Sequence, residues 1–477
     1  MQIWKLWKRW QRLLQKRNLV FMNNKYNLTT GSVSKCLLQF AMPYLLACFL
    51  QTFYGMADLF VVGLYHGAST TAAVSVGSQV IHMLTVIVAG FAMGTTVRLG
   101  RAVGAQEPHE ASRTVGTATL MFLALAALLT MILVSLTSGI VDVMMTPVEA
   151  RQETISYLRI CFLGVPFIVA YNVLSSIFRG AGDSRGPLGF VGIACAINVA
   201  LDFLLVGGFH LGAVGAALAT VIGQAVSSAV AIVMLLKRDM GFVVAKPDFR
   251  WDRGVAREML WVGGPIALQD GLIQVSFIVI TIIANSRGLI LATGVGIVEK
   301  IIGFLFLVPS AFLSAISAIT AQNVGAGKPE RANRSLWIGM AITVSYGFIV
   351  ALFNQFSPGT LVGLFTREQG VYLAGCEYMR SYVWDVMFAS IHFCFSGYFC
   401  GRQKSLVSFV HNIISIILIR IPGAYLASVW FPHTLYPMGW AAPIGSILSA
   451  IICAGVYWYG ILRPNLSAMK TERKTDE

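Results

Sequence analysis

Long stretches without a charged residue constrain this chain more than any other feature. Residues 114–141 and 203–236 contain no Asp, Glu, Lys or Arg, and each is long enough to cross about 30 Å of hydrocarbon as a helix. Only 12% of the chain is charged and its mean hydropathy is +0.72, whereas about a quarter of a soluble domain is charged. The stretches lack the polar–apolar alternation of membrane-spanning strands. The chain is therefore predicted to be an all-α polytopic membrane protein.

Twelve membrane-spanning helices are predicted. They lie near residues 36–64, 72–97, 114–137, 153–178, 188–207, 214–236, 258–284, 290–316, 335–356, 372–398, 405–428 and 440–461. Of the 35 Lys and Arg residues, 28 lie in the two tails and in the five loops on the same side of the membrane. The positive-inside rule places that side, and both termini, in the cytoplasm. The net charge of +14 then reflects topology, and no nucleic-acid partner is needed to explain it.

A repeated passage indicates that the bundle is duplicated. Residues 103–111, VGAQEPHEA, recur about 221 residues later as residues 324–332, VGAGKPERA, and Pro43 is matched by Pro265. Each copy links two apolar helices, and six spans in each half give both halves the same orientation. The sequence thus predicts two parallel six-helix repeats, an architecture common in secondary transporters. Its segments are a cytoplasmic tail 1–35, an N-terminal lobe 36–236, a cytoplasmic linker 237–257, a C-terminal lobe 258–461 and a cytoplasmic tail 462–477.

The first tail is basic and amphipathic. Trp4, Trp7 and Trp10 recur every three residues among Lys and Arg side chains, which is typical of a helix lying on an anionic bilayer surface. An alternative is that translation starts at Met22, close to the first span.

Acidic residues inside the spans are the candidate functional groups, because a charge at mid-bilayer depth costs about 2.5–3.5 kcal/mol on insertion scales. Asp58 interrupts an otherwise uncharged run between Lys35 and Arg98, and Asn198 and Asp202 share one face of span five. Two carboxylates and an amide make a workable site for a proton or a bare Na⁺. The alternatives are a hydrogen-bond acceptor at a kink for Asp58 and a buried polar pair between helices for the other two.

Several motifs together resemble the multidrug and toxic compound extrusion (MATE) family. They are Met56-Ala57-Asp58 with Val62-Gly63, the two VGA hairpins, Phe178 to Asp183, and Gly212 to Thr220. The resemblance spans residues 30–460 and implies a two-lobed antiporter that exports organic, often cationic, compounds against protons or sodium ions.

The DinF-like branch of that family matches best. It implies a coupling site in the N-terminal lobe at Asp58, Asn198 and Asp202, with Tyr157 in span four and Thr220 in span six. Tyr157 alone is equally typical of an interfacial aromatic belt. Pro43 is the expected hinge of span one.

The NorM-like branch fits less well. It uses a Glu in span seven, where Gln274 stands here, and an Asp in span ten, where Asp385 lies about one turn too early. Asp270, Gln274 and Asp385 are expected to face a central substrate cavity, which the resemblance places between the lobes. Asn172 is expected there too, because it follows Tyr157 by 15 residues, close to four helical turns.

Three further charges in the C-terminal lobe have no assigned role. Glu299 is adjacent to Lys300, which favours a neutralised structural pair. Arg420 is expected to have a structural partner that the sequence does not identify.

Enzymatic, cofactor and metal-cluster functions are not expected. The eight cysteines lack CxxC spacing, and the chain contains no GxxxxGK[ST] motif for nucleotide binding. The predicted function is export of cationic or amphipathic drugs by alternating access, coupled to an ion gradient with H⁺ favoured over Na⁺. The alternatives are a flippase for a lipid-linked precursor of the same superfamily and a non-transporting receptor or scaffold. The expected setting is the cytoplasmic membrane of a bacterium, and the expected state is a monomer.

Overall fold

A computed structural model of the chain describes residues 27–462, and within this range every regular element is helical. The amphipathic tail with Trp4, Trp7 and Trp10, the choice between Met1 and Met22 as the start, and nearly all of the C-terminal tail lie outside the described residues.

The described residues form two compact units, each with its own buried apolar core. The first unit holds the residues up to Ala267 together with Ala321–Arg331. The second holds Leu268–Thr320 and the residues from Ala332 onward. This boundary differs from that of the predicted lobes, because the start of span seven and the segment that follows span eight, Ala321–Arg331, belong to the first unit.

The helices of the first repeat, in chain order, are α1 Val33–Tyr65, α2 Ala68–Gly104, α3 Pro108–Val143, α4 Val148–Leu163, α5 Val165–Ala181, α6 Arg185–Asp202 and α7 Gly212–Lys237. A short 3₁₀ turn, Lys246–Asp248, lies in the linker. The helices of the second repeat are α8 Arg253–Asn285, α9 Leu289–Leu305, α10 Leu307–Gly325, α11 Pro329–Phe356, α12 Pro358–Val362, α13 Gln369–Tyr382, α14 Trp384–Gly401, α15 Ser405–Ser415, α16 Ile421–Trp430, α17 Tyr436–Gly439 and α18 Ala441–Tyr457.

The number of apolar helices agrees with the sequence. Among residues 27–462, eleven helical stretches are long and apolar enough to span a membrane, and a bent pair of shorter helices completes twelve. The prediction of an all-helical polytopic protein is confirmed.

That bent pair is α4 and α5, which meet at an angle of 49°. Pro166 stands in the first turn of α5, where its ring cannot extend the hydrogen bonding of α4. At the break, a Cβ on Gly164 would overlap the side chain of Val221. The bend therefore combines a proline with a close helix contact.

Two π-helical turns interrupt the equivalent helices of the two repeats. Phe203–Gly208 follows directly after α6, and Ile416–Arg420 lies between α15 and α16. Such wide turns are rare and are frequently found at functional sites. Here one begins beside Asp202 and the other ends at Arg420.

The two VGA passages make reciprocal glycine contacts within the first unit. A Cβ on Gly104 of α2 would overlap the carbonyl oxygen of Gln322, and a Cβ on Gly325 of α10 would overlap that of Arg101. Only glycine permits backbones to approach so closely. The two copies of the repeated sequence thus contact each other symmetrically, through α2 and α10.

The chain entering α1 is fixed to the same region. The Leu28 N–H donates to Gln322 Oε1 at 3.1 Å, and the Gln322 amide donates to the Gly180 carbonyl at 3.0 Å. The Arg331 guanidinium donates to the Gly31 carbonyl at 2.6 Å. The Gln322 and Arg331 side chains therefore supply hydrogen-bond partners to backbone groups of residues 28–31, which lie outside any helix.

Gly104→Val tests the glycine contact. The added side chain meets the Gln322 carbonyl, so we expect a loss of about 1–3 kcal/mol in stability and a lower thermal unfolding midpoint in detergent. Gly139→Ala is the control, because a Cβ at Gly139 of α3 meets nothing within 4 Å. Equal midpoints for Gly104→Val and the wild type would contradict the contact.

Candidate functional site

Asp58 lies in α1, with Pro43 earlier in the same helix. Its side chain is only 2% exposed. The Thr220 hydroxyl of α7 donates to Asp58 Oδ2 at 3.0 Å, while Asp58 Oδ1 is buried without a hydrogen-bond partner among the described residues. Half of the carboxylate is therefore left for another ligand.

Asn198 and Asp202 lie on α6 and are also fully enclosed, at 2% and 0% exposure. Both interact with the Asp58 carboxyl group, so the structure brings together the three polar residues expected in spans one and five. Both Asp202 oxygens and both polar atoms of Asn198 are buried and lack hydrogen-bond partners within residues 27–462.

Two carboxylates that face each other inside hydrocarbon do not both remain charged without compensation. Like-charge repulsion and loss of hydration each disfavour the doubly charged state. A proton shared between Asp58 and Asp202, or a cation between them, removes that cost. All candidate donors for such a cation (Asp58, Asp202, Asn198 and Thr220) present oxygen, which suits a proton or a hard monovalent ion.

Tyr157 lies beside this group. It is 1% exposed and within electrostatic range of Asp58, but its hydroxyl is hydrogen-bonded to the Ser78 hydroxyl at 3.1 Å. Its ring covers Gly77, where a Cβ would overlap it. Tyr157 is therefore adjacent to the carboxylates without a direct hydrogen bond to them.

Tyr54 and Gln224 form a polar layer that the sequence reasoning missed. The Gln224 amide donates to the Tyr54 hydroxyl at 2.8 Å, and Tyr54 lies within electrostatic range of Asp58. A signal was present, because Tyr54 precedes Asp58 by four residues and Gln224 follows Thr220 by four. Polar residues one turn from two site residues share their helix faces.

Asn172 stays a predicted cavity residue, but the helical-face argument for it does not hold. It assumed one continuous helix, whereas the chain bends by 49° between α4 and α5. The Asn172 side chain is 5% exposed and its amide donates to the Ile168 carbonyl one turn earlier, at 2.8 Å. Helical periodicity does not extend across a bend.

The expected pair of Glu299 and Lys300 is also wrong. Neighbours on a helix point about 100° apart, and here Lys300 is exposed while Glu299 is half-buried. Within residues 27–462, Glu299 interacts electrostatically with Arg420. The Thr281 hydroxyl lies 3.4 Å from Glu299 Oε2, but its shorter hydrogen bond, 2.9 Å, goes to the Phe277 carbonyl.

The remaining expected residues lie in the second unit. Asp270 and Gln274 of α8 are half-buried, and Asp270 is within electrostatic range of Cys400. Asp385 of α14 is 1% exposed and accepts a hydrogen bond from Ser446 at 2.5 Å. Asp385 therefore has a hydrogen-bond partner within its own unit.

A family model described as MatE matches residues 43–204 and 265–426. The "Probable multidrug resistance protein YpnP" of Bacillus subtilis is 24% identical over 449 residues, covering 94% of this chain and 99% of that protein. An "FAD transporter" of Shewanella oneidensis is 24% identical over 450 residues, covering 91% and 96%. A crystal structure of MATE in complex with MaL6 superposes with a TM-score of 0.85 at 22% identity, covering 94% of this chain and all of that one, 100%.

The unsatisfied carboxylates allow a stability test. Asp58→Asn and Asp202→Asn each remove one of two facing charges, so at neutral pH we expect an unchanged or raised thermal midpoint. Asp183→Asn is the contrast, because Asp183 is 1% exposed yet accepts two backbone N–H groups and the Arg238 guanidinium. Its loss is expected to cost about 1–3 kcal/mol. A matching destabilisation in all three variants would mean that Asp58 and Asp202 are structural.

Proposed function

The chain belongs to the MatE family of transporters, and we propose that it exports organic, cationic or amphipathic compounds in exchange for protons bound by Asp58 and Asp202. As a member of that family it is a multi-pass membrane transporter and not an enzyme. The proposal concerns its cargo, its coupling ion and the residues that couple them.

One observation carries this proposal. Asp58 and Asp202 are almost wholly enclosed in a membrane-spanning bundle, yet three of their four carboxylate oxygens have no well-formed hydrogen bond among the described residues and have only each other and Asn198 as close polar neighbours. A folded protein rarely leaves such groups unsatisfied unless they bind something. Their negative charge suits a cation.

We favour H⁺ over Na⁺ as that cation. A proton shared between two facing carboxyl groups needs no further ligand. A sodium ion must be surrounded by oxygens, which Asn198 and Thr220 would have to supply in addition. In the first case the Thr220 hydroxyl only has to keep its bond to Asp58, and in the second its oxygen must also point a lone pair at the ion.

Coupling requires that the protonated and deprotonated states bind substrate with different affinities. Protonation of Asp58 removes a charge carried by α1 itself, and Pro43 in the same helix lacks the N–H for one helical hydrogen bond, which makes it a weak point. We propose that α1 shifts at Pro43 when Asp58 is protonated and that substrate leaves on the outer side. Deprotonation toward the cytoplasm then restores the binding state by alternating access.

The same five residues support the DinF-like assignment. Asp58, Asn198, Asp202 and Thr220 form one buried group, and Tyr157 lies beside it. In this proposal Asn198 and Thr220 orient the carboxylates, and Tyr157 of α4 limits the access of water to them.

Proteoliposomes test the coupling directly. Ethidium efflux is expected under an imposed pH gradient alone, and not under a Na⁺ gradient alone. Asp58→Asn and Asp202→Asn are each expected to lower the rate at least tenfold, because neither variant keeps two titratable partners. Asp142→Asn is the control, since Asp142 forms an exposed ion pair with Arg151.

Three outcomes contradict parts of the proposal. Efflux in Asp58→Asn at the wild-type rate would remove Asp58 from coupling. Efflux driven by sodium alone would replace H⁺ by Na⁺. Transport of FAD or of a lipid-linked sugar, with no ethidium efflux under either gradient, would replace drug export by transport of an anionic cargo.

A further inference from the structure

The C-terminal end of α1 packs against the π-helical turn that follows α6. The Tyr65 ring contacts Phe203 edge-to-face, with 6.5 Å between the ring centroids, and a Cβ on Gly207 would overlap the Tyr65 ring. His66 is the next residue and ends α1, and its ring nitrogen Nε2 lies 3.3 Å from the Val206 carbonyl oxygen. The end of α1 and the π-helical turn therefore form one packed joint.

The contact with Val206 fixes which nitrogen of His66 is able to bind a metal. A carbonyl oxygen only accepts hydrogen bonds, so Nε2 carries the hydrogen and Nδ1 carries the lone pair of the neutral ring. A Cβ on Gly212 would lie 3.7 Å from Nδ1, so this nitrogen lies beside the start of α7. His66 is only half-buried. Metal-binding histidines are commonly oriented in the same way, by donating their other N–H to a backbone carbonyl.

His210 stands directly before the start of α7 and its ring lies beside that of His66. The two ring centroids are 6.3 Å apart and the ring planes meet at 71°. The His210 backbone has a φ of +53°, a left-handed conformation that is uncommon for residues other than glycine. The N–H groups of Phe209 and Leu211 on either side donate to carbonyls of the π-helical turn, at 2.9 and 3.0 Å. The backbone therefore holds His210 in place, while its side chain is exposed.

The spacing of the two rings suits one shared metal ion. With metal–nitrogen bonds of about 2.0–2.1 Å, two imidazoles on one ion have centroids about 5–6 Å apart. The observed 6.3 Å is slightly wider, and the exposed His210 side chain has room to turn toward Nδ1 of His66. The alternative is an ordinary contact between aromatic rings, which predicts no bound ion.

Two imidazoles favour a transition metal ion over the common hard cations. Imidazole suits Zn²⁺, Cu²⁺ and Ni²⁺, whereas Mg²⁺ and Ca²⁺ prefer carboxylate, carbonyl and water oxygens. Within residues 27–462, no three or more His, Cys, Asp and Glu side chains are grouped so that they could hold a metal ion. Water must therefore complete the coordination of an ion held by this pair, so that the ion binds reversibly.

We propose that His66 and His210 form a binding site for Zn²⁺ or a similar transition metal ion, and that the bound ion ties the end of α1 to the residues that precede α7. The site is distinct from the one proposed for the coupling ion. His66 follows Asp58 by eight residues, which is about 12 Å along a helix. In the predicted topology, with both termini in the cytoplasm, the site faces the outside of the cell.

The binding of the metal ion stands on the histidine geometry alone, whereas its effect on transport rests on the function proposed above. In that function α1 shifts at Pro43 during each exchange cycle. An ion that joins the end of α1 to the residues before α7 opposes this shift. Bound zinc is therefore expected to slow export.

Zinc titration of the purified protein, prepared without a polyhistidine tag, tests the site. Isothermal titration calorimetry is expected to detect about one Zn²⁺ per chain, bound at least tenfold more weakly by His66→Gln and by His210→Asn. Glutamine still has an N–H to donate to the Val206 carbonyl, and asparagine tolerates the left-handed backbone of His210. Both variants therefore keep the local structure. His433→Ala is the matched control, because His433 is also exposed but lies in the second unit.

Electron paramagnetic resonance of bound Cu²⁺ identifies the ligands. Hyperfine splitting from two imidazole nitrogens is expected in the wild type and in His433→Ala, and from one in His66→Gln or His210→Asn. An excess of Mg²⁺ is expected to leave the signal unchanged. Absence of zinc binding by the wild type, or binding that is equally strong in His66→Gln and His210→Asn, would overturn the site.

Efflux measurements distinguish this site from the proposed exchange. Zn²⁺ on both sides of the proteoliposome membrane is expected to slow ethidium efflux by the wild type at concentrations that fill the site. It should not slow efflux by His66→Gln or His210→Asn. Zinc binding without slower efflux would show that the ion does not restrain α1. If ethidium efflux is absent with and without zinc, the proposed function is contradicted and the binding result still stands.

Discussion

The cost of enclosing charge in hydrocarbon is the constraint on which this structure depends. A lone carboxylate at mid-bilayer depth opposes insertion by about 2.5–3.5 kcal/mol, so each buried acid needs a partner or a bound cation. Asp183 in the first unit has a full set: two backbone N–H groups and Arg238. Asp58 receives a hydrogen bond from Thr220, and neither oxygen of Asp202 has a donor among the described residues. In the function proposed for this chain, the contrast separates an acid that stabilises the fold from acids that bind a cation.

Close helix packing allows these enclosed sites to exist. Without a hydrophobic force between helices in lipid, backbones approach through small residues, and Gly104 and Gly325 provide this reciprocally at Gln322 and Arg101. Because the hairpin sequence is duplicated, each copy supplies the same kind of glycine contact to the other. Rigid packing at these positions leaves bending to other points, such as Pro43 within α1.

The fold and part of the site could be predicted from the sequence, because hydropathy and the spacing of charges are local properties. Span positions and the shared face of Asn198 and Asp202 follow from them directly. The partners of Glu299 and Arg420 could not, since Thr281 and Tyr382 approach them only through packing of separate helices. The shared face assumed for Tyr157 and Asn172 does not follow from their spacing, because proline and a close contact bend the chain at Gly164. Such failures occur where tertiary contacts override helical periodicity.

The two repeats surround a buried acid in different ways. In both, a hydroxyl from the sixth span of the repeat donates to a buried Asp: Thr220 to Asp58, and Ser446 to Asp385. Arg420, which stays charged at any physiological pH, lies within electrostatic range of Asp385, whereas the polar side chains that interact most closely with Asp58 are uncharged or acidic. In the function proposed for this chain, Asp58 therefore depends on a bound cation, while Asp385 has a positive charge within its own repeat.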